Sequence, residues 1–163
     1  MNAKDAIRSS ANLSSLVLKT YISDLEDADL MRRPGPGCNH LAWQLGHLIS
    51  SEQHLLESIA PGQGIELPEG FAEAHSKEAC ANDDPSCFLG KQDYIDLFDR
   101  VQAASLAALD GYPEADLDKE SPETFRAFCP TMGAMFTLIA THPMMHAGQF
   151  VVVSRQLGKP ILM

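Results

Sequence analysis

The chain has 163 residues, 45% of them hydrophobic, which suits a single domain, 1–163, with a real core and is neither a disordered nor a fibrous composition. Lys and Arg number 12 against 22 Asp and Glu, a formal charge of -10 without a visible basic patch, so no nucleic-acid partner is expected. No window approaches the roughly 18 apolar residues of a membrane span, and "MNAKDAIRSSANLSS" lacks the apolar run of a signal peptide, so the expectation is a cytoplasmic protein with no membrane partner.

The first segment, about Ala3 to Leu25, repeats Leu13, Val17, Tyr21 and Leu25 every four residues with Leu16 beside them, which predicts a helix and this core face. "MRRPGPGCN" then breaks the pattern with prolines and glycines. Asn39 is the expected N-cap of a second helix, His40 to about Ala60, with the apolar stripe Leu41, Leu45, Leu48, Leu55, Leu56 and Ile59. Pro61-Gly62 ends it. Residues 61–90 are rich in Gly, Pro and acidic residues, a connection long enough to cross the length of a bundle and leave the second and third helices parallel. It carries His75, Cys80 and Cys87, which would be within reach of the mouth of a site.

The third helix is predicted from about Lys91 to Asp110, with Tyr94, Leu97, Phe98, Val101, Ser105 and Ala108 inward and Gly111 as its cap. A second loop leads to Thr131. The fourth helix, about Thr131 to Leu157, is apolar nearly all round, which predicts a central position; Gly158 and Pro160 end it. No alternating strand pattern competes, and the reading is an all-α four-helix bundle. Cys38, Cys80, Cys87 and Cys129 form no C-x-x-C pair and are expected to be reduced thiols.

The fourth helix contains "THPMMHAGQF". At helical spacing one face reads Met135, Ile139, His142, His146, Gln149, Val153, so three polar residues interrupt an inward stripe. An unsatisfied buried polar group costs roughly 1–3 kcal/mol. A metal ion satisfies two neutral imidazoles at once, and the i, i+4 spacing puts both on one side of a helix. Two core histidines bonded to carbonyls or carboxylates account for the same spacing. Pro143 cannot donate to the Ile139 carbonyl, which predicts a kink.

The second helix carries His40, His47 and His54 in a column spaced by seven, flanked by Trp43, Gln44, Ser51 and Ser58. The column lies about 120° from the leucine stripe, so it faces either solvent or a cleft. Three histidines together would leave an open coordination position, as catalytic sites require. Gln149 is placed to hold a ligand, a water or a substrate, or to cap backbone. Glu52 is the carboxylate nearest His47 in the second helix, either a base or partner of the site or one half of a helix-end salt bridge. No phosphate-binding loop and no G-x-S-x-G elbow occurs.

"WQLGHL", followed about a hundred residues later by "HPMMHAGQ", resembles the DinB/YfiT-like superfamily. The resemblance implies a four-helix bundle with a long crossover between helices two and three. It implies metal ligands at His47, His142 and His146, and leaves His40 and His54 outside the pattern. His47 also lies mid-helix, where a backbone aims an imidazole well, with Trp43 one turn earlier to exclude water; His40 lies in a first turn open to fraying and solvent. The resemblance further implies a divalent ion (Zn, Ni, Fe or Mn), a homodimer, and a small-molecule substrate, with thiol S-transfer to or from a low-molecular-weight thiol, or hydrolysis, as the leading reactions. The other class is a non-enzymatic bundle with a structural ion or packed histidines, acting through protein partners. Metal loss is expected as pH falls below the ordinary imidazole range near 6.5.

Overall fold

The computed structural model of the chain describes residues 1–160 and 162. Helix α1 is Ala3–Ser23, α2 Leu41–Ile59, α3 Phe71–Ala74, α4 Lys91–Gly111 and α5 Met132–Gln156. Among the described residues there is no strand, only an isolated bridge between Glu120 and Thr131. Among the described residues no helix is long and apolar enough to cross a membrane.

The helices begin where local chemistry satisfies their free N–H groups. Asn2 caps α1, its side chain accepting from the Asp5 N–H at 2.8 Å while the Asp5 carboxylate accepts the Asn2 N–H at 3.0 Å. Thr131 caps α5 through the Ala134 N–H. The cap of α2 is His40, not Asn39: its Nδ1 accepts the Trp43 N–H at 3.0 Å. That leaves the proton on Nε2, which donates to the Asn82 carbonyl at 3.0 Å. His40 is fully buried and holds the start of α2 against the crossover, so the expectation of a loose, solvated first turn is overturned.

Around the bundle the neighbours run α1, α5, α2, α4 and back to α1. Lys4 reaches the Asp110 carbonyl and Lys19 the Asp99 carboxylate, so α1 and α4 are antiparallel. The His75 ring joins the starts of α2 and α4. Its Nδ1–H donates to the Phe71 carbonyl and its Nε2 accepts from the Tyr94 hydroxyl, both at 2.7 Å. The same ring lies on Gly46, where an added Cβ would come within 2.0 Å of it. The crossover thus leaves the end of α2 and travels back along the bundle to the end where α2 begins, so α2 and α4 run parallel as expected.

The inward stripes of α2 and α4 are those predicted, and every one of their residues is buried. The face predicted for α1 holds at Tyr21 and Leu25, which are buried, and fails at Leu13 and Leu16. Leu13 and Leu16 are each 54% exposed, and the core side runs through Ile7, Ala11, Ser14, Leu18, Ile22 and Leu25. Ser14 can be buried because its hydroxyl bonds back to the Ser10 carbonyl at 2.9 Å. The central position predicted for α5 is also corrected. Thr137, Thr141, Met145, Gly148 and Val152 form an outward line, with Met145 62% exposed. Helix α5 runs on through Pro143, which is buried.

Candidate metal centre

Antiparallel packing of α2 against α5 brings together the three imidazoles chosen from the sequence. One ligand atom from each of His47, His142 and His146 lies within 4.8 Å of the others. The ring centroids form a triangle with sides of 5.5 Å (His47–His142), 5.6 Å (His47–His146) and 5.0 Å (His142–His146). Among the described residues no Cys, Asp or Glu joins the group. Cys80, Cys87 and Glu52 are therefore not ligands here, and neither are His40, His54 and His75.

The strongest chemical constraint falls on His146. Gln44 donates through Nε2 to the Asn39 carbonyl at 2.8 Å and to Gln149 Oε1 at 2.9 Å. A carbonyl can only accept, so the amide orientation is fixed and Gln44 Oε1 points the other way, 2.9 Å from His146 Nδ1. Nδ1 must carry the proton. Nε2 is left as a lone pair, fully buried and with no hydrogen-bond partner. Such an atom costs roughly 1–3 kcal/mol unless something accepts its lone pair, and it belongs to the group whose ligand atoms converge. A divalent ion fits this donor set: three nitrogens, one tautomer already fixed from behind.

The electrostatics agree with that fit. Burial, then the neighbouring His142 and His47, push His146 down to about 3. Burial and His47 push His142 down to about 4. Burial and the nearby Lys77 lower His47. All three are neutral at pH 7, the form that binds metal. The Trp43 indole lies parallel on the His47 ring at 4.8 Å and 7°, and its Nε1–H donates to the Ser76 carbonyl at 2.9 Å. Trp43 thus fixes the plane of His47 and attaches the crossover beside it.

The remaining candidates are dispersed. His54 is exposed, edge-on to Phe125 at 6.0 Å. Gln149 accepts from Gln44, supporting the residue that orients His146. The sequence pattern presents Gln44 only as a flank of the histidine column. Its signal is nonetheless present in the spacing: Gln44 lies three residues before His47 and Gln149 three after His146, which on antiparallel helices sets the two amides at one level. Replacing Gln44 with Met keeps the length and removes all three side-chain hydrogen bonds. Zinc affinity should fall about 10–100-fold with unchanged helical circular dichroism; an unchanged affinity by chelator competition would remove Gln44 from the site.

Glu52 is neither beside the ligands nor in a salt bridge. It is buried, with Oε1 unpartnered, against a cavity of about 10 Å³ lined also by Ile7, Ala11, Gln102, Ser105 and Ile139, room for one water-sized group. Burial raises its pKa to about 7, partly offset by the nearby Ser105 hydroxyl. A raised folded pKa stabilises below the unfolded value near 4.5, and that contribution is lost as pH rises through about 7. Glu52→Gln should therefore raise Tm at pH 8 and leave it nearly unchanged at pH 5, each tenfold change in the proton affinity of the carboxyl being worth about 1.4 kcal/mol. Equal effects at both pH values would show that the carboxyl is not held neutral by burial.

A family model described as the DinB superfamily matches residues 17–150. No curated protein matches the chain.

Proposed function

Since this chain belongs to the DinB superfamily, we propose that it is a metal-dependent enzyme whose divalent ion is held by His47, His142 and His146 and whose remaining coordination position takes the substrate. One observation carries this reading: the buried, unpartnered Nε2 of His146, held in its tautomer by Gln44 and converging with two further neutral imidazoles. When bound, the ion would supply Lewis acidity, polarising a substrate or lowering the pKa of a water or thiol.

The chain's own residues do the positioning. Gln44 keeps the His146 proton on Nδ1, and Gln149 with the Asn39 carbonyl keeps Gln44 from turning. Trp43 covers one face of His47 and excludes water from it. Thiol S-transfer and hydrolysis of a small molecule are the two reactions that family membership favours, with zinc, nickel, iron or manganese as the ion. A structural role is disfavoured because structural zinc has four protein ligands, and this group contains three.

Elemental analysis with X-ray absorption spectroscopy tests the reading. The expected result is one divalent ion per chain, three imidazole nitrogens and at least one exchangeable ligand. Four protein ligands would return the protein to the structural class. Failure to take up Zn²⁺ or Ni²⁺ at neutral pH would end the metal reading.

A further inference from the structure

The cavity beside Glu52 lies where all four long helices meet, and it has no part in the metal reading. Two oxygens of its lining residues are buried and unpartnered among the described residues: Glu52 Oε1 on α2 and Ser105 Oγ on α4. The two residues are only 5% and 4% exposed. Ser14 turns its hydroxyl back on its own helix, but Ser105 does not, so the Ser105 hydroxyl stays available to a neighbour. A third polar group is oriented by backbone. Gln102 Nε2 donates to the Ala11 carbonyl at 3.2 Å, which leaves the amide oxygen as its free end. Every other lining residue is apolar, so no side-chain cation offsets a carboxylate here. The cavity volume is about 10 Å³. A buried water needs about 10–15 Å³ of such space and two to four polar partners. Size and partner number therefore agree on one molecule. An inorganic cation takes a larger shell of oxygens and favours a charged carboxylate, whereas burial pushes this carboxyl up to about 7 and favours its neutral form.

We propose that this cavity is a binding site for one water molecule, which bridges Glu52 on α2 to Ser105 on α4. The neutral carboxyl and the hydroxyl can each donate or accept, and the Gln102 oxygen accepts, so three bonds are met without a charge. The bridge is a second tie between the two parallel helices, further along them than the His75–Tyr94 bond near their starts. A satisfied polar link of this kind holds the two helices in one register.

A high-resolution crystal structure of the wild-type protein should show one ordered water within about 2.5–3.0 Å of both Glu52 and Ser105. The water should persist in Glu52→Gln, whose amide can bond it, and be absent from Glu52→Met, whose side chain cannot hold it. Melting temperatures give a second readout in solution. Ser105→Ala should lower Tm by about 2–4 °C in the wild type and by at most about half as much in the Glu52→Met background, where the bridge is already gone. A direct Glu52–Ser105 bond with no water between, a water that stays in Glu52→Met, or equal losses in both backgrounds overturns the bridge. A Tm raised by one of Na⁺, K⁺ or NH₄⁺ above choline in the wild type, and not in Glu52→Gln, overturns it in favour of a bound cation. The metal reading stands or falls separately, on metal uptake.

Discussion

Replacing His146 with alanine should give a folded chain that holds no divalent metal. The loss should exceed that for Gln44→Met, because a ligand itself is removed; an affinity drop beyond about a hundredfold is expected, the upper end for changes behind a ligand. His47→Ala and His142→Ala should be equally empty. His54→Ala should keep its metal, since that ring is exposed and points at Phe125. His40→Ala should also keep its metal but lose about 1 kcal/mol of stability, because its Nδ1 caps α2. Metal per chain after dialysis decides the matter. A metal-replete His47→Ala beside an empty His54→Ala or His40→Ala would overturn the assignment of the site.

The same geometry changes the expected response to acid. Competition by protons is governed by the folded imidazoles, and His142 and His146 lie at about 4 and 3 rather than near 6.5. Bound metal should therefore survive pH 5.5 and leave only as pH approaches 4, provided the fold persists. Fold stability without metal follows the other limit. Depressed folded pKa values stabilise fully above the unfolded value of 6.5, and that contribution is lost progressively as pH falls toward 4 and 3. The metal-free protein should accordingly lose Tm from about pH 6.5 downward, before the loaded protein releases its ion. Release of metal near pH 6.5 from a folded protein would show that the imidazoles are not desolvated.

The largest stability effect is expected at Gly46. A methyl group there would sit 2.0 to 2.2 Å from three atoms of the His75 ring. Overpacking commonly costs 1–3 kcal/mol when neighbours can shift. This neighbour cannot: both ring nitrogens are engaged, by the Phe71 carbonyl and the Tyr94 hydroxyl, and the ring is buried. Gly46→Ala should cost about 3 kcal/mol or more, a fall in Tm of roughly 6–12 °C for a chain of this size. His75→Ala removes the obstacle, so Gly46→Ala should cost far less in that background than in the wild type. An unchanged Tm for the single variant would show that the crossover has room to move.

Helices α2 and α4 are legible in the sequence because each is carried by a regular period of large apolar residues; the His142–His146 pair is legible from its i, i+4 spacing, and His47 from the family resemblance and its mid-helix place. Helix α1 misleads for the complementary reason. Its buried face is partly serine and alanine, and Ser14 satisfies its own hydroxyl within the helix, so hydrophobicity alone selects the exposed leucines. The outward line of α5 is hidden because Met145 and Val152 look like core residues in a one-dimensional pattern. His40, Gln44 and His75 depend on partners distant in the chain, Asn82, Gln149 and Tyr94, and no local spacing identifies which partner a polar group will find. Glu52 Oε1 has no partner to find, and its isolation shows only once four helices close around it.

The candidate ligands His47 and His142 are 95 residues apart in the chain, and an ion joining them would tie a loop of that length. Closing such a loop is entropically unfavourable, and the cost grows only slowly with loop length. An ion bound to the native state alone stabilises it by RT ln(1 + [M]/Kd), about 2.7 kcal/mol at one hundred times Kd. With an ion bound, the histidine triangle would therefore act on the whole chain as a clasp between its first and second halves. Its contribution is set by free metal outside the protein, so the urea midpoint should rise with the logarithm of metal concentration. Fragments that lack either α2 or α5 should not show that dependence.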